Sequence, residues 1–362
     1  MSDLSDLSDL SDLSDPARTL RVDLPSLAVV DATGADAAAF LQAQLCNDLA
    51  GAGAGRACLA GYCNPKGRLL ALMLVSTLPD GALRLIVPRE LVEGLLQRLR
   101  MFVLRSDVTF TPRETLRCRG MLVPEAISGQ RLAHGVPELP ATPPGAMLEV
   151  LGGESGAAGA QICRWHDAYA PEHRRRYLVV SELGSAAGDS GDAGEGGEGT
   201  ELVGEGAGEI LWRLGDISAG IPRIVQATRE AFVPQMVNLQ LVDGLSFRKG
   251  CYPGQEIVAR MQYLGKLKRH MRRFRTRSEA GSAIAPGSVL VGADDAEAGT
   301  VVDAATGPDG TELLAVVRIA ADLAGLRAGD AVLEPLPLPY ALSTDEAEGA
   351  ESASVADGGA SA

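Results

Sequence analysis

Three stretches of this chain carry acid and no base, and they limit what can fold. Residues 1–16 repeat Ser-Asp-Leu and hold five Asp. Residues 182–209 are rich in Gly, Ala and Ser and hold eight acids, and the segment from Ser343 onward holds five more. Such acidic low-complexity stretches cannot bury enough apolar surface to offset the entropy of ordering them. They are expected to be a disordered tail over 1–17, a disordered insertion over 182–209 and a disordered tail over 343–362. The rest of the 362 residues still suffices for two or three domains. It carries 29 acids against 33 bases, so the net charge of −14 belongs to the tails and the folded part can attract an anion.

Only 4% of residues are aromatic, so the core must come from Leu, Val, Ala and Ile. No apolar run approaches the ~18 residues of a membrane span, and no basic-then-apolar leader opens the chain. A cytoplasmic protein with no membrane partner is expected. Cysteines stand at 46, 58, 63, 118, 163 and 251 without a C-x-x-C pair, which fits a reduced compartment and no zinc or ferredoxin signature. The four histidines show no metal-ligand spacing, and "GAGAG" at 51–55 reads as a turn rather than a nucleotide loop.

Between residues 18 and 118 strands and a helix alternate. "SLAVVDATG" reads as a strand and "DAAAFLQAQLCND" as a helix. "RACLAGYCN", "GRLLALMLVSTL" and "ALRLIVP" read as consecutive strands, and "RELVEGLLQRLRMFVL" as a second helix. Residues 119–265 give a second α+β part, with "GMLVP", "AMLEVL", "AQICRWH" and "RRRYLVVSE" as its strands. Residues 266–342 are strand-like runs punctuated by Gly and Pro, which implies a small C-terminal β-barrel. The fold class is α+β in two lobes plus that barrel.

"FRKGCYPGQEIVAR", residues 247–260, carries the chemistry. Leu245 and Phe247 alternate with Ser246 and Arg248 as on a strand. Ile257, Val258, Met261 and Leu264 follow the spacing of a helix with one buried face, and Gly265 is its expected C-cap. Cys251 then lies just outside a helix N-terminus, beside Arg248 and Lys249, where the helix end and the cations favour a thiolate. Spacing alone leaves a second reading, a packed turn cysteine beside a solvated basic face. From Ile257 to Ser278 there are eight Lys or Arg and no acid, Arg260 through Arg277. They read either as a patch for a polyanion such as RNA or as the outward side of a strand.

"KGCYPGQEIVAR" resembles the signature of the YgfZ-type folate-binding proteins, K-G-C-Y-[TP]-G-Q-E. "FVPQMVNLQLVDGLSF", "TGADAAAFLQAQLCNDL", "CNPKGR" and "EPLPLPY" match that family too, so the resemblance spans about residues 20–342. It implies a fold similar to the tetrahydrofolate-dependent aminomethyltransferase of the glycine cleavage system, around a folate-sized channel. It also implies support of iron–sulfur enzymes, including a tRNA methylthiotransferase, that depends on Cys251. Lys249, Tyr252, Gln255 and Glu256 match the rest of the motif and, with Arg260, are the implied site residues. Of two tryptophans linked to folate in the family, one matches Trp212 and the other falls on Leu27. The cofactor implied is tetrahydrofolate or a derivative, with no metal.

A pterin needs a flat contact and a carboxylate for its N–H donors. Trp212 and one of Asp31, Asp48, Asp216 or Glu256 are candidates, though Trp212 alone also reads as a core residue. The aminomethyltransferases carry adjacent aspartates where "NPKGRLLALML" puts Ala71 and Leu72, and neither can move a proton. The chain is therefore not expected to be a classical enzyme. The alternatives are an aminomethyltransferase and a scaffold for RNA or an iron–sulfur partner, with Cys58, Cys63 and Cys251 as conceivable cluster ligands.

Overall fold

The structure, a computed structural model, describes residues 19–52, 56–124, 147–150, 160–166, 174–182, 200–263, 267–278 and 283–342. The tails 1–17 and 343–362 and residues Leu264, Gly265 and Lys266 lie outside them. The opening strand, β1 (Thr19–Asp23), leaves the strands that follow it. β2 (Leu27–Thr33), β3 (Ala57–Cys63), β4 (Leu69–Thr77), β5 (Leu83–Pro88) and β6 (Thr109–Pro112) form a five-stranded sheet in the order β3-β4-β5-β2-β6. Its helices are α1 (Ala37–Gln44) and α2 (Val92–Val103). β4 is buried at every position but its last, so it reads as an unbroken apolar run rather than an alternation.

β1 instead pairs antiparallel with β7 (Leu116–Pro124). With β8 (Met147–Val150), β9 (Ala160–Arg164), β10 (Arg174–Glu182) and β11 (Thr200–Leu202) they make a six-stranded sheet, β11-β1-β7-β10-β9-β8. The first strand of the 18–118 stretch thus belongs to the second sheet. Leu20 and Val22 find their burial there, under α3 (Glu205–Ser218). Part of the 182–209 stretch, expected to be disordered, has regular structure. β11 and the first turn of α3 fall inside it, because the free edge of β1 accepts a parallel strand, with Val203 N donating to Arg21 O at 2.9 Å, and Val203 and Ala207 are buried. Residues 183–199 lie outside the described residues.

The C-terminal strands are β12 (Arg269–Thr276), β13 (Val289–Val291), β14 (Glu297–Gly307), β15 (Gly310–Arg318), β16 (Arg327–Ala328), β17 (Ala331–Val332) and β18 (Glu334–Leu336). Their order is β17-β16-β13-β14-β15-β12-β18. The two edge strands are separated in sequence by Leu333 alone, so the sheet must curl into a nearly closed barrel. Phe274, Leu290, Val301, Leu313 and Leu333 fill its own core. Arg213 on α3 fastens the barrel through Asp303 at 2.6 Å. The "EPLPLPY" segment returns to the body, where the Tyr340 hydroxyl donates to Gly220 O at 2.8 Å.

The motif segment departs from its pattern. Residues 245–248 form no strand. The Ser246 amide bonds to Cys46 O at 3.1 Å, and left-handed backbone at Asn238 and Asp243 turns the chain instead of extending it. The helix exists as α4 (Gln255–Tyr263), but of its apolar face only Val258 is buried. No helix among the described residues is long and apolar enough to cross a membrane.

Candidate functional site

Trp212 sits on α3 facing the second sheet, and Gly120 in β7 makes its seat. A Cβ at Gly120 would stand 2.3 Å from Trp212 Cε3 and 2.6 Å from Cζ3, so only glycine lets the indole come this close to the strand. On β10 Arg176 shares its parity with Leu178 and Val180. Its guanidinium carbon lies 4.7 Å from the centroid of the Trp212 ring and it is fully buried. Trp165, just past β9, adds a second indole at 6.2 Å. Asp216, one turn beyond Trp212 on α3, ties these together. Its Oδ1 accepts from Trp165 Nε1 at 2.7 Å and pairs with Arg176 at 2.9 Å.

These groups wall an apolar cleft between the two sheets. Leu27, Leu72, Leu74, Ile86 and Ile224 line it beside Trp165, Trp212 and Asp216. A polar pocket of about 360 Å³ adjoins it. The two share Leu59, Leu74 and Trp165, and the polar end adds Asn47, Asp48, Arg56, Cys58, His166 and Asp243. The first space is mainly apolar and aromatic but also meets Glu209, Arg213, Asp216 and Arg223, and the second is polar.

Four carboxylates were candidates for a pterin, and the structure separates them. Asp31 is held by Arg84 at 2.8 Å and Arg113 at 2.7 Å. Asp48 lines the polar pocket, and Glu256 is exposed on α4. Asp216 alone shares the cleft with Trp212 and Leu27. Ala71 is fully buried and Leu72 lines the cleft, so the wall where the aminomethyltransferases carry acids is apolar here.

The motif residues stand elsewhere. None of Lys249, Cys251, Tyr252, Gln255, Glu256 and Arg260 is among the cleft-lining residues. Cys251 is exposed in the loop before α4. Lys249 turns inward and donates its ammonium to the carbonyls of Gln42 and Leu45, completing the C-terminal end of α1. That corrects the expectation that its charge stands free beside Cys251: the unpaired helix carbonyls are the stronger sink for a cation. The ammonium lies 5.3 Å from the Tyr252 ring centroid. Burial lowers the Lys249 pKa and raises that of Tyr252. Gln255 is half-buried; Glu256 and Arg260 face outward.

The motif's Gly254 explains how the segment is held. It has φ +81°, and a Cβ there would come within 2.4 Å of Asn64 O and 2.6 Å of Gly67 Cα. "KGCYPGQE" therefore docks directly on the "CNPKGR" turn, which Asn64 Oδ1 closes by accepting from the amides of Lys66 and Arg68. The basic run is partly neutralised: Arg273 pairs with Glu312 at 2.6 Å, Arg275 with Glu334 at 3.0 Å and Arg269 with Glu297 at 3.9 Å. Neighbouring strands supply Glu312 and Glu334, and β14 supplies Glu297, which a one-dimensional charge count cannot see. No cluster of three metal-ligating side chains occurs among the described residues, so Cys58, Cys63 and Cys251 do not converge. Sequence reasoning passed over Trp165, Arg176 and Gly120. An arginine on the apolar parity of "RRRYLVV" was the available signal for the second.

No family model matches the chain. Its fold is that of the aminomethyltransferases. The crystal structure of glycine cleavage system aminomethyltransferase T from Bartonella henselae superposes with a TM-score of 0.62 at 16% identity, covering 93% of this chain and 89% of that one. The sequence narrows the class. The tRNA-modifying protein YgfZ of Yersinia pseudotuberculosis serotype IB (strain PB1/+) is 30% identical over 340 residues, 90% of this chain and 93% of that protein. That of Colwellia psychrerythraea is 26% identical over 331 residues, 90% of this chain and 94% of the relative. The chain belongs to the YgfZ family of tRNA-modifying proteins.

Proposed function

We propose that this chain binds a reduced folate, tetrahydrofolate or a derivative, in the cleft walled by Trp212, Trp165, Leu27 and Asp216, and that it supports iron–sulfur enzymes that modify tRNA. The observation that carries the reading is the convergence of two indoles, an apolar wall and the Asp216 and Glu209 carboxylates on a single space. The pterin ring packs beside the Trp212 and Trp165 indoles, whose edges border the cleft, with Leu27 as a further apolar contact, and Asp216 accepts from its N–H donors. The polar pocket takes the glutamyl end, with Arg56 as the cation.

Cys251 is the reactive group. Its exposure suits exchange with a thiol or disulfide of a partner such as a tRNA methylthiotransferase. Arg260 and Arg277, both exposed, are the cations offered to RNA. Turnover as an aminomethyltransferase is disfavoured by Ala71 and Leu72, which leave no acid on that wall to act on the folate nitrogen.

Titration of the purified protein with tetrahydrofolate and 5-formyltetrahydrofolate, followed by tryptophan emission, tests the reading. Trp165 and Trp212 are the chain's only tryptophans and both line the cleft, so saturable quenching is expected. Unchanged emission with unchanged heat in calorimetry refutes it.

A further inference from the structure

Cys46 and Cys63 have no part in the proposed folate site, yet the fold brings their thiols together. The chain leaves α1 extended at Leu45, which bridges antiparallel to Tyr62. The Cys46 amide then bonds to Gly61 O at 2.8 Å, so Cys46 stands opposite Gly61. Side chains alternate along a strand, and Cys63 therefore shares the face of Gly61, diagonal to Cys46. Gly61 has no side chain to separate them. A Cβ there would come within 2.9 Å of Cys46 Sγ. The two thiols share a hydrogen bond, and both are fully buried.

We propose that Cys46 and Cys63 form a dithiol that hydrogen peroxide converts to a disulfide, a redox-modification site beneath the Lys249–Tyr252 stretch. The surroundings divide the roles. Burial opposes ionisation of Cys46, but the hydrogen bond to Cys63, the Gly61 backbone and the Lys249 ammonium outweigh it and hold its pKa below the ordinary value. Cys63 is pushed the other way, by its bond to Cys46 and by burial. Cys46 is thus the nucleophile. Its thiolate attacks one peroxide oxygen, the O–O bond breaks, hydroxide leaves and Cys46 becomes a sulfenic acid. The Cys63 sulfur attacks that sulfur, the S–S bond forms, and the departing hydroxide takes the Cys63 proton as water. Two thiols lose two hydrogens and one peroxide becomes two waters. Neither sulfur reaches the surface, which excludes exchange with a protein disulfide; the polar pocket, lined by Asn47 next to Cys46, is the approach offered to a small oxidant.

The full chain carrying Cys251→Ser, which removes the exposed thiol, is treated with a small excess of hydrogen peroxide while folded. Free thiols are then alkylated under denaturation, and unreduced tryptic peptides are read by mass spectrometry. Arg56 separates the two cysteines, and fragmentation distinguishes Cys63 from Cys58 on their shared peptide. The expected result is a majority of Cys46 linked to Cys63, with Cys118 and Cys163 alkylated, and loss of the link in Cys46→Ala. Recovery of both cysteines as alkylated thiols, or a bridge from Cys46 to Cys58, overturns the proposal.

Discussion

Replacing Gly120 by alanine adds one methyl group at the point where the cleft is built. The new Cβ would stand 2.3 and 2.6 Å from two carbons of the Trp212 ring and 2.6 Å from Val22 Cγ2. Ordinary contact begins at 3.4 Å, so the indole must retreat by about 1 Å. It cannot do so freely, because Arg176 lies over its ring and Trp165 beside it. Overpacking of this kind costs about 1–3 kcal/mol, against which the lost chain entropy of glycine returns about 0.4–1 kcal/mol. The net expectation is a loss of about 1–2 kcal/mol. Urea unfolding reads it as a lower midpoint at unchanged slope, and folate affinity falls about tenfold as the platform shifts. Gly208→Ala is the control. Its Cβ would meet Val22 at 3.0 Å, and helix propensity of about 1 kcal/mol offsets that contact, so stability should barely move. A Gly120→Ala protein with wild-type stability and folate affinity would show that the indole does not rest on this strand.

Asp216→Asn keeps the acceptor for Trp165 but leaves the buried Arg176 without its counter-charge. A stability loss of about 3 kcal/mol and a tenfold or larger loss of folate affinity are expected, by urea unfolding and calorimetry. Cys118 and Cys163 are pushed up from the ordinary 9.0 to about 12, chiefly by burial. Their raised native values stabilise the fold fully below pH 9, and that stability is lost as pH rises from 9 toward 12. Each thiol should contribute a slope of about −1.4 kcal/mol per pH unit, which Cys118→Ala flattens in alkaline unfolding. Cys251→Ser should leave stability and folate binding within error while failing to complement an iron–sulfur enzyme defect in cells; full complementation would remove the role proposed for it.

Much of the fold was legible in the sequence because its strands are apolar runs with clear turn residues between them. β4 lies within the "GRLLALMLVSTL" run, without its first two residues and its last, and β10 lies where "RRRYLVVSE" placed it. Partner choice was not legible. Nothing local in "TLRVD" says that it pairs with β7 rather than β2, and "TEL" at 200–202 is a strand only because β1 offers an open edge. Residues 245–248 alternate like a strand, but the amide of Ser246 is taken by Cys46 O across a turn. At the site, Trp212 could be named from the resemblance. The choice of Asp216 among four carboxylates required knowing that α3 crosses the second sheet. Lys249 illustrates the converse: its place beside Cys251 in sequence gave no hint that it closes α1 from about two hundred residues away.

The central claim is that a reduced folate lies in the cleft between the two sheets, against Trp212 and on Asp216. A crystal structure of the protein with 5-formyltetrahydrofolate tests it most directly. The account predicts pterin density in the cleft beside the Trp212 and Trp165 indoles, its N–H groups within hydrogen-bond distance of Asp216, and the glutamyl end toward Asn47 and Arg56. Density for the ligand at another surface, with this cleft filled by its own side chains, would contradict it.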